Sequence, residues 1–196
     1  MSAILAIPNL AVRGIVMTTC CLSIIGSSLI IFSYFRWRDL QTTSRKLLVF
    51  LSIADLATAI GNLIGSVSED TGAFCVAQST LTTFSSMASF HWTVYIAVFL
   101  LLCIPGLSSN PDGVVRYFHV MAWGLPLVVV AIALGFGVLG PSAVGWCWID
   151  DQMPQYQVIA WGLFTGKAWE LIAYVATIVL YLVIRMKVRQ FTRKPA

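Results

Sequence analysis

From Gly14 to Phe35 the chain carries no Asp, Glu, Lys or Arg, and from Thr71 to Pro111 it again carries none. Leu47 to Ser68 holds a single charge, Asp55. A water-soluble core sets its apolar residues at helical or alternating periods, with polar positions between them on the wet face. Unbroken runs of this length leave no wet face, so the solvent around them must itself be apolar. Charged residues make up 10% of the 196 residues, against about 25% in a typical soluble domain. A soluble enzyme, a nucleic-acid-binding domain and a disordered linker are all excluded, so no nucleic-acid partner is expected.

A helix needs about 20 mostly apolar residues to cross roughly 30 Å of hydrocarbon. Five stretches meet that length: Ala11–Tyr34, Leu47–Ser68, Phe74–Ile104, Tyr117–Gly140 and Val158–Ile184. The third is over-long and is expected to tilt or to project beyond the bilayer. The first is too long for the apolar region of a signal peptide and has only Arg13 before it, so it reads as a retained helix. The sequence predicts an all-α, polytopic transmembrane bundle. Residues 1–196 form one domain, of which 185–196 are a basic tail. The connections are short and rich in Gly, Pro and Ser, as in Pro105, Gly106, Ser108 and Pro111, and no repeat or low-complexity tract is seen.

The basic residues orient the spans. Arg36, Arg38, Arg45 and Lys46 lie in the first connection and Arg116 closes the third. Arg185, Lys187, Arg189, Arg193 and Lys194 follow the last span, so ten of the twelve Lys and Arg fall on one side. Two acidic pairs, Glu69/Asp70 and Asp150/Asp151, sit on the other side. The positive-inside rule then puts the N-terminus and the second and fourth connections outside, with the C-terminus in the cytoplasm. The formal net charge of +4 is a topology signal rather than an affinity for an anionic partner. No Asn is followed by the Ser or Thr that glycosylation requires.

Cys20, Cys21 and Cys103 fall within or near the cytoplasmic side of spans, where thiols stay reduced and serve as small packing residues. Cys75 and Cys147 both fall on the outer side, one opening the third span and one in the fourth connection. The oxidising surroundings favour a disulfide that pins the fourth connection over the third span.

A charge in hydrocarbon costs about 2.5–3.5 kcal/mol or more, so each intramembrane ionisable group needs a reason. Asp55 reads either as a polar lock, bonded to a Ser or Thr of the first or third span, or as an ion site. Lys167 and Glu170 are three residues apart on one helical face and can neutralise each other. Alternatively they line a water-filled cavity open to the outside and contact a polar ligand. Ser79, Thr82, Ser86, Ser89 and Thr93 form one stripe on the third span, as close-packing hydroxyls or as a pocket wall. His91 has no metal-ligating partner at the needed spacing and reads as hydrogen-bonded structure. Trp123 and Pro126 read as a packing aromatic and a tolerated kink.

Catalytic signatures are missing: there is no His-Glu-x-x-His, Gly-x-Ser-x-Gly, phosphate-binding loop or Cys-x-x-Cys. No enzyme activity, cofactor or metal is expected. What remains is a pattern of segments. Leu51-Ser-Ile-Ala-Asp55 in the second span and a Cys opening the third, paired with one in the next outer connection, resemble the G-protein-coupled receptors. The more specific element is Gly145-Trp-Cys-Trp-Ile-Asp150, which resembles the cyclic-AMP-receptor-like group of slime moulds and its animal relatives. Ser89-Phe-His-Trp-Thr-Val94, Phe118-His-Val-Met-Ala-Trp-Gly124 and Leu163-Phe-Thr-Gly-Lys-Ala-Trp-Glu170 extend the likeness from the first span to the fifth.

That resemblance implies five helices of a seven-helix receptor in the plasma membrane, with an unknown extracellular ligand and a heterotrimeric G protein as partners. It implies a Cys75–Cys147 disulfide, pocket candidates Thr82, Ser86, Ser89, Trp148, Lys167 and Glu170, and Arg185, Arg189 and Arg193 facing the G protein. Plain anchoring by positive charge accounts for much of that basic end. The third span closes Leu102-Cys-Ile-Pro105, without the Asp-Arg-Tyr triplet of rhodopsin-like receptors. With five spans the chain reads as a truncated or spliced receptor product, whose outward-moving sixth helix is not included. A transporter or channel subunit using Asp55, Lys167 and Glu170 is the alternative, as is a non-signalling partner that dimerises with the full receptor.

Overall fold

The computed structural model describes residues 2–67, 72–104, 112–142 and 146–192. Helix α1 spans Ser2–Arg36, α2 Thr43–Val67, α3 Ala73–Leu102 and α4 Val115–Gly135. The fifth span is built from α5 (Gln155–Gly162), a π-helical turn at Leu163–Lys167 and α6 (Ala168–Thr192). A two-stranded hairpin, β1 (Leu139–Pro141) with β2 (Cys147–Ile149), precedes α5. Among the described residues, five helices are long and apolar enough to cross a membrane. Ile15, Leu22, Ile25, Leu171, Ile178 and Tyr181 all stand exposed on the bundle surface, as residues facing acyl chains should.

Helix α3 is the hub. It packs on α2, α4 and α6, and its N-terminal end meets both strands of the hairpin, whereas α1 packs on α2. The α2–α3 contact is close because α2 presents Gly61 and Gly65, one turn apart, to α3. A β-carbon on Gly61 would lie 2.5 Å from the Thr82 methyl. Gln78 exploits the approach and donates its amide to the Gly61 carbonyl at 3.1 Å. Arg13 of α1 reaches the opposite flank of α2, where its guanidinium donates to the Ser66 carbonyl at 3.0 Å, one of the acceptors a helix end leaves open.

Overpacking at the Gly61 contact costs about 1–3 kcal/mol, because Thr82 is itself buried and cannot swing away. Gly61→Val is therefore expected to lower the unfolding midpoint in detergent micelles. Gly124→Ala is the matched control. A β-carbon there meets nothing within 4 Å, and the better helix former should leave stability unchanged or raise it by up to about 1 kcal/mol.

The fourth span ends earlier than its apolar run. Sequence places its end at Gly140, but α4 stops at Gly135. Gly137 takes φ +64°, its N–H bonds the Leu134 carbonyl at 3.0 Å, and Val138 N–H bonds the Ala133 carbonyl at 3.2 Å. This is a Schellman cap, and its left-handed position is one that glycine fills without strain. Leu139, Gly140 and Pro141 then leave the helix to pair with Ile149, Trp148 and Cys147. At the other boundary, α6 carries helix through Arg185 and Arg189, so these basic residues prolong the fifth span rather than forming a separate tail. Arg193 and Lys194 lie outside the described residues.

Two clusters make the core. Leu47, Trp92, Phe99, Phe118 and Ala122 fill the end nearest the first connection. Ala133, Val138, Leu139 and Ile149 fill the end beneath the hairpin.

Candidate functional site

The end of the bundle that carries the hairpin opens into a cavity of about 340 Å³. Its floor and walls come from Thr58 and Asn62 of α2 and from Thr82, Thr83, Ser86 and Phe90 of α3. Trp146, Cys147 and Trp148 cover it, and Thr165, Gly166, Lys167 and Glu170 of the fifth span close the remaining side.

The cover is held in three ways. Cys75 and Cys147 are joined by a disulfide, Cα atoms 5.4 Å apart, tying β2 to the first turn of α3. The strand pairing continues past the hairpin, with Asp150 N–H on the Val138 carbonyl at 2.9 Å. The Trp148 indole then lies across Gly162 and Gly166, either of whose β-carbons would stand 3.4 Å from the ring. Gly162 and Gly166 are one turn apart and their small surface seats a flat ring. Between them the helix widens to its π-helical turn, a feature frequent at functional sites.

Polar groups line the interior. Lys167 donates to Glu170 at 2.9 Å, and Tyr174 donates to the other Glu170 oxygen at 3.0 Å. The lysine side chain keeps 62% of its surface exposed and the glutamate 27%, so the pair faces open space. Thr58 bridges α2 to α3 through a bond to Ser85 at 2.8 Å. Thr82 and Ser86 return their hydroxyls to α3 carbonyls at 3.0 and 3.2 Å, the usual habit of hydroxyls within a helix. Thr83 also lines the cavity, but its buried hydroxyl has no hydrogen-bond partner among the described residues.

Five of the six residues singled out as pocket candidates, Thr82, Ser86, Trp148, Lys167 and Glu170, meet in this one cavity. Ser89 does not line it. Ser89 sits one turn deeper and donates to Asp55 at 2.5 Å, the geometry of a lock between α2 and α3. The hydroxyl stripe thus divides by depth: Ser79 is fully buried, Thr82 and Ser86 reach the cavity, and Ser89 and Thr93 lie below it. His91 donates its Nδ1–H to the Met87 carbonyl, 2.7 Å away, and among the described residues no cluster able to hold a metal is found.

Sequence reasoning missed Thr58, Asn62, Thr83 and Thr165. Thr58 and Asn62 are four apart on α2, a spacing that could have marked a second polar wall. Thr83 falls off the stripe, and nothing in the sequence distinguishes it. Arg185 and Arg189 are exposed at the opposite end of the bundle, with Arg36, Arg38, Arg45 and Lys46.

Comparison with known proteins matches the same segments. The human G-protein coupled receptor 157 is 39% identical over 186 residues, covering 91% of this chain and 55% of that protein. Cyclic AMP receptor-like protein A of Dictyostelium discoideum is 27% identical over 90% of this chain and 45% of its own length. G-protein coupled receptor 1 of Arabidopsis thaliana is 31% identical over 78% of this chain and 46% of its own. The chain thus spans about half the length of the curated relatives it matches. The family model described as slime mold cyclic AMP receptor matches residues 5–192, through all five spans and the disulfide-tied hairpin. This multi-pass membrane protein belongs to the slime mold cyclic AMP receptor family.

Proposed function

We propose that the chain supplies the ligand-binding end of a plasma-membrane receptor that signals to a heterotrimeric G protein. The N-terminus and the hairpin face outside and the basic ends, including Arg185, Arg189 and Arg193, face the cytoplasm, as the distribution of Lys and Arg favours. The observation that carries the reading is the cavity. It lies at the end poor in basic residues, is covered by a disulfide-tied hairpin, and offers a half-exposed ion pair in a wall that also carries Thr82 and Ser86. Such a mixture of aromatic cover and a few converging polar groups is what small-molecule sites share. The relatives' names, two G-protein coupled receptors and a cyclic AMP receptor-like protein, support it. Asp55 serves here as a lock between α2 and α3 through Ser89.

The test joins residues 1–192 to the remaining segment of the human relative and reads G-protein dissociation in cells exposed to extracellular small-molecule fractions. The expected result is a fraction that triggers dissociation and loses potency about tenfold or more in Lys167→Ala, the worth of one charge-assisted hydrogen bond. Surface labelling checks that the variant reaches the membrane at the same level. Solute uptake into proteoliposomes by the chain, with no dissociation in cells, overturns the reading in favour of a permeation path.

A further inference from the structure

At the basic end a second cleft of about 400 Å³ lies between α1 and α2. Leu29, Ile30, Leu48 and Val49 form its walls, and Tyr34 and Arg45 stand at its mouth. Arg45 is exposed and forms no hydrogen bond or ion pair among the described residues. Ser33 adds little polarity, since its hydroxyl is already committed to the Leu29 carbonyl at 2.6 Å. Arg36, Arg38 and Lys46 stand exposed in the same connection, where Asp39 is the only carboxylate. Trp37, half exposed beside them, is the aromatic that the membrane–water boundary favours.

An apolar slot that ends at an unpaired guanidinium has two chemistries in sequence along the membrane normal. The slot accepts an acyl chain, and the guanidinium presents a planar fork of donors matched to phosphate oxygens. We propose that this cleft holds an anionic glycerophospholipid, with one acyl chain along Leu29, Ile30, Leu48 and Val49 and its phosphate on Arg45. The neighbouring cations favour a headgroup with more than one negative charge over a zwitterionic one. A free phosphate leaves the apolar walls unfilled and is not the occupant. This site does not depend on what the cavity beneath the hairpin binds.

Native mass spectrometry of the purified chain, released from micelles with added phosphatidylinositol 4-phosphate or phosphatidylcholine of the same acyl chains, tests it. The anionic lipid should be retained at least about fivefold better. Arg45→Ala should cut that retention about fivefold, the worth of one basic residue near an anionic surface. Leu48→Trp leaves charge unchanged and fills the slot from a position already 41% exposed, so it should displace the lipid without unfolding the bundle, as circular dichroism will show. Lys187→Ala, at the same end but on α6, should leave retention unaltered. Equal losses in Arg45→Ala and Lys187→Ala would reduce the effect to diffuse charge and overturn the site. Full retention in Leu48→Trp, or displacement of the lipid by the soluble inositol phosphate headgroup alone, would also overturn it.

Discussion

Cys75→Ser and Cys147→Ser are each expected to destabilise the folded chain by about 2–4 kcal/mol, and the double variant should lose no more than either alone. The two cysteines are 72 residues apart. For a free chain in water, closing a loop of that length removes entropy worth roughly 4 kcal/mol from the unfolded state. In a bilayer or micelle the unfolded reference is narrower, because α3 and α4 remain inserted helices whose hairpin-side ends already share one surface. The upper value is therefore a ceiling. Thermal or denaturant unfolding in micelles, with and without reductant, measures the loss, and reductant should bring the parent chain to the level of the serine variants. The native side of the equilibrium sets a floor. Strand pairing from Leu139 to Pro141 and the seat of Trp148 on Gly162 and Gly166 remain when the bond is gone. A loss below about 0.5 kcal/mol would show that these contacts alone hold the hairpin, since loop closure would then contribute next to nothing. A loss within the expected range makes the disulfide the main tether of the cavity's cover.

How far sequence reaches in this protein follows from which interactions are local. The five spans were legible because an apolar run is its own signal: crossing hydrocarbon forces every backbone group into a helix whatever its neighbours do. Their edges were less so. The end of α4 is set by a backbone conformation at Gly137, within a run that stays apolar to Leu139, so hydropathy carries past the true stop. The hairpin depends on pairing between Leu139–Pro141 and Cys147–Ile149, two three-residue strands too short to show a period. Lys167 and Glu170 could be paired from their spacing because both lie on one helix, and the structure bonds them at 2.9 Å. The cavity itself required three helices and a loop to converge. The stripe on α3 pointed toward it but could not say where lining gave way to locking, because Ser86 and Ser89 look alike until Asp55 of α2 is placed beside Ser89. Thr83 shows the limit most plainly, for a buried hydroxyl without a partner among the described residues is visible only once its neighbours are placed.

Trp92 gives the other large effect, at the opposite end of the bundle. It is fully buried, lies 5.2 Å from Phe50 in a stacked pair, and meets His119 and Trp123 edge-on at 4.9 and 6.0 Å. Through these rings α3 is joined to α2 and α4 at once. Removing a buried aromatic to Ala costs about 3–5 kcal/mol in a water-soluble core, part from transfer out of water and part from the cavity left behind. In a membrane the transfer part shrinks, since the separated helices would face acyl chains rather than water. The cavity part stays, because a site closed on every side by Phe50, His119 and Trp123 can neither collapse nor fill with lipid. Trp92→Ala is therefore expected to cost about 3 kcal/mol, the low end of the soluble range. Trp92→Phe separates shape from polarity. The indole N–H has no hydrogen-bond partner among the described residues, and a buried donor left in that state costs about 1–3 kcal/mol. Phenylalanine keeps a ring against Phe50 and discards the unsatisfied donor, so its cost should be less than half that of alanine. Denaturant unfolding of both variants in the same micelles makes the comparison. If Phe costs as much as Ala, the indole's second ring, and not merely an aromatic face, is what binds α2, α3 and α4 together.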